Sequence, residues 1–123
     1  MNDKKNILLT IVTENQTQKI KAVKLSELIN KELDGNWEII HFDKYSKFDN
    51  SYKIVFKKSF EVRNQEELNL LGIRIADKLV SPWLVYFDKD ENIIELIYNI
   101  NENTQNRKIE FSVIKWGQLQ ITK

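Results

Sequence analysis

"YKIVFKKSFEVRNQEELNLLGIRIADKLVSP", residues 52–82, changes its apolar period once, and that change decides the fold. Over residues 52–63, Tyr52, Ile54, Phe56, Phe60 and Val62 alternate with Lys53, Lys57, Ser59, Glu61 and Arg63, with Val55 the apolar exception. A period of two places the two sets on opposite faces of a strand. From Asn64 the period lengthens, and Leu68, Leu71, Ile75, Ala76, Leu79 and Val80 form one face of a helix. Asn64 stands where an N-cap is needed and Glu67 follows three residues on, a capping box with Asn in place of Ser or Thr. Gly72 lies inside the apolar face; exposed, it would cost about 1 kcal/mol against Ala, so close packing on a sheet is the better reason for it. Pro82 is expected to stop the helix, because its ring cannot continue the hydrogen-bond ladder.

Working outward, residues 7–13 are a short β-branched run and read as a buried strand. Residues 17–35 carry Ala22, Leu25, Leu28, Ile29 and Leu33 on one helical stripe, with Gly35 placed for a left-handed C-cap. Residues 37–45 form a further strand, joined to residues 52–63 by the turn-rich "SKFDNS", so the two are expected to pair as an antiparallel hairpin. Strands at 83–87, 93–100 and 108–121 complete the chain, the last containing Gly117 as a bulge or bend. The sequence thus predicts one α+β domain over residues 1–123. Its first six elements follow the ferredoxin-like βαββαβ plan, extended by C-terminal antiparallel strands, with both helices on one face of the sheet. The other face is left open, and function is expected there.

Composition excludes several classes. The chain has 19 Lys and Arg against 18 Asp and Glu, a net charge of +1, so wholesale electrostatic binding to nucleic acid or an anionic membrane is not suggested. With no cysteine there are no disulfides, thiolate nucleophiles, Cys-type zinc sites or Cys-ligated clusters. The apolar run at residues 7–12 is too short for a signal-peptide core or a membrane span, so a cytoplasmic protein is expected. The three glycines are isolated and make no phosphate-binding loop.

Four groups of side chains are candidates for function. "FDKDENIIELIY", residues 87–98, offers Asp88, Asp90 and Asn92 at the spacing of a calcium loop. Counted from Asp88, the sixth position is Ile93 and the twelfth Asn99, where such a loop needs Gly and a bidentate Glu. The stretch therefore reads as a hairpin turn, and no metal or other cofactor is expected. His41 is the only histidine; with no orienting partner or nucleophile near it in the sequence, it reads as a strand residue at the rim of the core. Asp88, Asp90 and Glu91, with Asp43 and Asp49 on what are expected to be neighbouring loops, could form an acidic surface for a basic partner. Lys53, Lys57 and Arg63 share one strand face and offer a nucleic-acid-binding alternative, although residues 7–13 have no aromatic and residues 52–62 no glycine where the RNA-recognition motif needs them. Trp37 and Trp83 are expected in or beside the core. Trp116, placed beside Ile114 and opposite Phe111, Val113 and Leu119, could anchor a partner.

A small, cysteine-free α+β chain with charged loops and no nucleophile–base pair, metal cluster or phosphate cradle resembles the immunity proteins of bacterial polymorphic-toxin and contact-dependent growth inhibition systems. The resemblance rests on size, element order and the lack of catalytic motifs. It implies a non-catalytic interaction protein whose partner is a cognate toxin domain, bound through Asp43, Asp49, Asp88, Asp90, Glu91 and Trp116. The alternatives are a nucleic-acid module on the Lys53, Lys57, Arg63 face, or a small dimeric ligand-binding or regulatory domain.

Overall fold

The structure, a computed structural model, describes residues 3–122. In chain order its elements are β1 (Asp3–Thr13), α1 (Lys19–Glu32), β2 (Glu38–Lys44), β3 (Tyr52–Val62) and α2 (Gln65–Asp77). There follow β4 (Val80–Ser81), β5 (Leu84–Asp88), β6 (Ile93–Asn99), β7 (Gln105–Asn106), a 3₁₀ turn (Ile109–Val113) and β8 (Ile114–Thr122). Six strands form one antiparallel sheet in the order β2-β3-β1-β8-β6-β5, while β4 and β7 pair separately.

The longest strands are central for a physical reason. β1 places Ile7, Leu9 and Ile11 on one face, opposite Ile121, Leu119 and Gly117 of β8 and Lys58, Phe56 and Ile54 of β3. Ile7, Leu9, Ile11, Ile54, Phe56 and Leu119 are wholly buried. Leu25, Ile29 and Leu33 from the α1 side and Leu68, Ile75 and Ala76 of α2 join the same core cluster, so both helices cover this one face. The strand after α2 does not lie beside β1; that place is taken by β8. With nine residues and an apolar alternation ending in Leu119 and Ile121, β8 can match β1 along its length, whereas β5 has five residues.

Local signals act where the sequence puts them. Asn64 Oδ1 accepts a 2.8 Å hydrogen bond from Glu67 N, a cap that contributes about 1 kcal/mol. The Glu67 carboxylate turns to Arg63 Nε at 3.2 Å. Asp34 and Gly35 both have positive φ, and Gly35 N donates to Asn30 O at 2.7 Å, closing α1. Asn30 continues the lock: its amide accepts from Trp37 N and donates to Trp37 O, each at 3.1 Å, while Trp37 Nε1 donates to Leu33 O. A Cβ on Gly72 would stand 3.1 Å from Leu119 Cδ2, so this glycine does serve the close approach of α2 to the sheet.

Three expectations are corrected. α2 ends at Asp77 and not at Pro82, because residues 76–79 tighten into a turn and Val80–Ser81 pair with Gln105–Asn106. The strand expected over 108–121 begins only at Ile114; residues 109–113 turn as a 3₁₀ helix so that Phe111 enters the core. The bulge expected at Gly117 falls two residues earlier. Val12 faces Trp116 but Thr13 faces Ile114, which leaves Lys115 as the extra residue. Ile114 thereby turns into the core, away from Trp116.

Tyr98 gives the core a pH dependence. It is wholly buried, and its hydroxyl donates to Thr104 Oγ1 at 2.9 Å. Burial pushes the phenol pKa above its ordinary value; the Thr104 hydrogen bond pulls it partly back and the Glu14 charge raises it again. Unfolded Tyr titrates near 10. Above that pH the unfolded chain loses its proton while the folded one keeps it, so stability falls as pH rises towards the folded value. The urea midpoint is expected to fall between about pH 9.5 and 11, and to fall less in Tyr98→Phe. Equal slopes for the two proteins would remove Tyr98 as the cause.

Candidate interaction surface

The outer edge of the sheet is β5, "LVYFD", which pairs only with β6. Leu84, Val85, Tyr86 and Phe87 are 58%, 53%, 55% and 54% exposed. The register explains why both sides of the strand are apolar yet uncovered. Val85 and Phe87 stand opposite Leu96 and Ile94, on the helix side, but at the edge strand beyond the buried core. Leu84 and Tyr86 stand opposite Ile97 and Glu95, on the open face. The edge strand thus exposes two apolar side chains on each face of the sheet, and exposed apolar surface of this kind is a candidate for interaction.

The opposite edge is built differently. β2, "EIIHFDK", carries charge at both ends, Glu38 at one and Asp43 and Lys44 at the other, and its register with β3 shifts between Ile39 and His41. Charge and irregular register both blunt an edge against strand addition. Residues 84–87 have neither device. His41 is exposed on the open face opposite Val55, not at the core rim where the sequence placed it.

The hairpin after β5 settles the question of residues 87–98. Asp88 Oδ1 accepts from Asp90 N at 2.9 Å and from Glu91 N at 3.3 Å, so its carboxylate folds the turn. Asn92 adopts a φ of 56° and is tied to α2: its amide donates to Glu66 Oε1 and its carbonyl accepts from Asn69 Nδ2, both at 3.1 Å. Among the described residues, no three His, Asp or Glu side chains converge as a metal site.

The structure divides the acidic set. Asp43 lies in β2 and Asp49 in the loop after it, whereas Asp88 ends β5 and Asp90 and Glu91 follow it at the far edge. Because neighbouring strands alternate in direction, these loops also leave opposite ends of the sheet. Five strand spacings, about 24 Å, lie between the two edges, so the loops are not neighbours and one acidic surface cannot include both. Sequence separation carries no strand order, which is why the error arose.

The lysine set is also dispersed. Lys53 is paired across the strands with Asp43, and Lys57 with Glu38. Arg63 follows β3 and forms an i,i+4 ion pair with Glu67. Charges of both signs alternate over that face, and no continuous basic groove results.

Trp116 is half-buried on the open face, opposite Val12. It lines a cleft of about 470 Å³ with Tyr45, Phe48, Ile100, Lys47 and Lys115. The sequence reading reached Trp116 but missed its companions, and it missed residues 84–87 as a surface. "WLVYF" has the uninterrupted apolar character of a buried strand, and only its place in the strand order exposes it. Compared with protein-family models, curated proteins and solved structures, the chain finds no match.

Proposed function

We propose that this protein captures a partner polypeptide by adding an extended strand of that partner to β5, and that it acts as an immunity protein neutralising a toxin domain. The observation that carries the reading is the exposed apolar edge at residues 84–87, without charge or bulge. Strand addition supplies main-chain hydrogen bonds along the edge, while side-chain pockets on alternate sides set specificity. A depression lined by Tyr86, Phe87, Ile93, Ile94 and Ile121, with Asp88 and Glu95 also in its wall, flanks β5 and suits a side chain of the added strand with an apolar stem and a basic end. Asp88, Asp90 and Glu91 follow directly, so the fitting partner strand is apolar and flanked by Lys or Arg. Asp43 and Asp49 fall outside this surface. We read the sheet as a ferredoxin-like plan in which β8 takes the place beside β1, leaving the β5–β6 hairpin to extend it outward. In this reading the protein is cytoplasmic and non-catalytic.

The test is capture of the tagged protein's partner from its host, washed at low and then high salt, followed by expression of that partner alone and with this chain. A stoichiometric protein that survives high salt, arrests growth alone and is silenced by co-expression is the expected result. Retention of nucleic acid alone, released at modest salt by counterion competition, would overturn the proposal. A β5-dependent homodimer in size-exclusion chromatography, with no partner captured, would overturn it in favour of self-association.

A further inference from the structure

We propose that the cleft beside Trp116 is a binding site for a small aromatic carboxylate. Its rings would lie among Trp116, Tyr45 and Phe48, and its carboxylate on Lys115 and Lys47. None of residues 84–88 lines this cleft, so the proposal stands apart from strand capture.

The construction of the site begins with the bulge. In a regular strand, Lys115 and Trp116 would point to opposite faces of the sheet. The extra residue between the Val12–Trp116 and Thr13–Ile114 pairs lets both side chains line one cleft, the kind of re-aiming for which bulges serve binding sites. Over them folds the β2–β3 loop, closed by Tyr45 N donating to Ser51 O at 2.9 Å. The Tyr45 and Phe48 rings pack with centroids 5.8 Å apart, tilted 43° to each other, and Lys115 Nζ stands 3.7 Å from the Phe48 ring centroid.

The lining then selects the ligand. Val12, Tyr45, Phe48, Ile100 and Trp116 provide a mostly apolar, ring-rich wall, and its volume of about 470 Å³ lies within the range of small-molecule sites. Lys47, Lys115 and Asn99 supply the polar groups, and no carboxylate lines the cleft. Asp49, in the same loop, lines an adjoining depression with Gln16, Thr17 and Ser51 that shares Tyr45 and Phe48 with the cleft. Two ammonium groups with no lining anion call for a negative ligand. The aromatic wall calls for a flat apolar body, over whose face an ammonium is also attracted. Nothing in the lining offers the glycine-flanked backbone cradle that a polyphosphate would use.

Isothermal titration with 1-naphthoate, 1-naphthalenemethanol and 1-naphthylmethylamine tests the site. Naphthoate is expected to bind with a Kd of roughly 0.1–1 mM, in keeping with the affinity per atom of small ligands. The alcohol should bind about tenfold more weakly and the amine not measurably, because each lacks the charge-assisted contact. Lys115→Met and, separately, Phe48→Ser should each weaken naphthoate about tenfold, with circular dichroism confirming that both variants are folded. Phe48 is in an exposed loop, so its variant remains informative if Lys115→Met disturbs the bulge. Equal affinity for acid and alcohol, naphthoate binding unchanged in both variants, or no saturation at millimolar ligand would each overturn the proposal.

Discussion

Replacing Gly117 by alanine is expected to lower the stability of the protein by about 3 kcal/mol, combining overpacking with the loss of a partly buried hydrogen bond. A Cβ at this position would lie 2.6 Å from Trp83 Cη2 and 3.2 Å from Cζ3, so the indole must move. Its freedom to move is small. Trp83 Nε1 donates to Val80 O at 2.8 Å, and the ring packs at 5.6 Å on Tyr98, itself wholly buried. Displacing the ring therefore loses the hydrogen bond, uncovers Tyr98 and disturbs the segment leading into β5. For a chain of this size the loss corresponds to a fall in Tm of about 12 °C. The comparison with Trp83→Leu locates the cause. If the clash is with the indole, Gly117→Ala should cost much less when Trp83→Leu is already present, a coupling that thermal or urea unfolding of the four proteins measures. A Gly117→Ala protein as stable as the parent would show that β8 tolerates a side chain there and that the ring contact is incidental.

The second large effect concerns association and leaves the fold alone. Val85→Lys together with Phe87→Lys should weaken partner binding by at least about 100-fold, the loss expected when two central apolar anchors become charged. Both residues are more than half exposed, so the change in folding stability should stay within about 1 kcal/mol. Lysine at an edge position is also the device by which natural sheets resist strand addition, so the double variant supplies what β5 lacks. Calorimetry or surface binding against the captured partner reads the first quantity, and urea unfolding the second. Undiminished binding in a folded double variant would remove β5 as the docking edge. A large loss of stability would show instead that these side chains belong to the core.

Strand–helix alternation and the cap at Asn64 were legible because they depend on residues a few positions apart. The alternation of residues 52–62 matches the observed burial: Tyr52, Ile54, Phe56 and Val62 are buried, whereas Lys53 and Lys57 stand on the other face. Asn64 caps Glu67 N as read, although the Glu67 carboxylate turns to Arg63 instead of completing the box, and Gly35 takes the left-handed backbone expected of it. Even the turn at Asp88 follows from chemistry within three residues, since its carboxylate accepts from Asp90 N and Glu91 N.

The open questions at the sequence level were those of order across the sheet. Residues 83–87 and 108–121 both read as strands. Which would be sheltered beside β1 and which would form an edge depended on matching length and register against Ile7, Leu9 and Ile11. The same competition exposed residues 84–87, separated Asp43 and Asp49 from Asp88, Asp90 and Glu91, and brought Lys115, Trp116, Tyr45 and Phe48 to one cleft. Local propensity and periodicity act through bonded neighbours and are written along the chain. Strand order, edge exposure and the cleft arise from contacts between residues far apart in sequence, and only the packed sheet decides them.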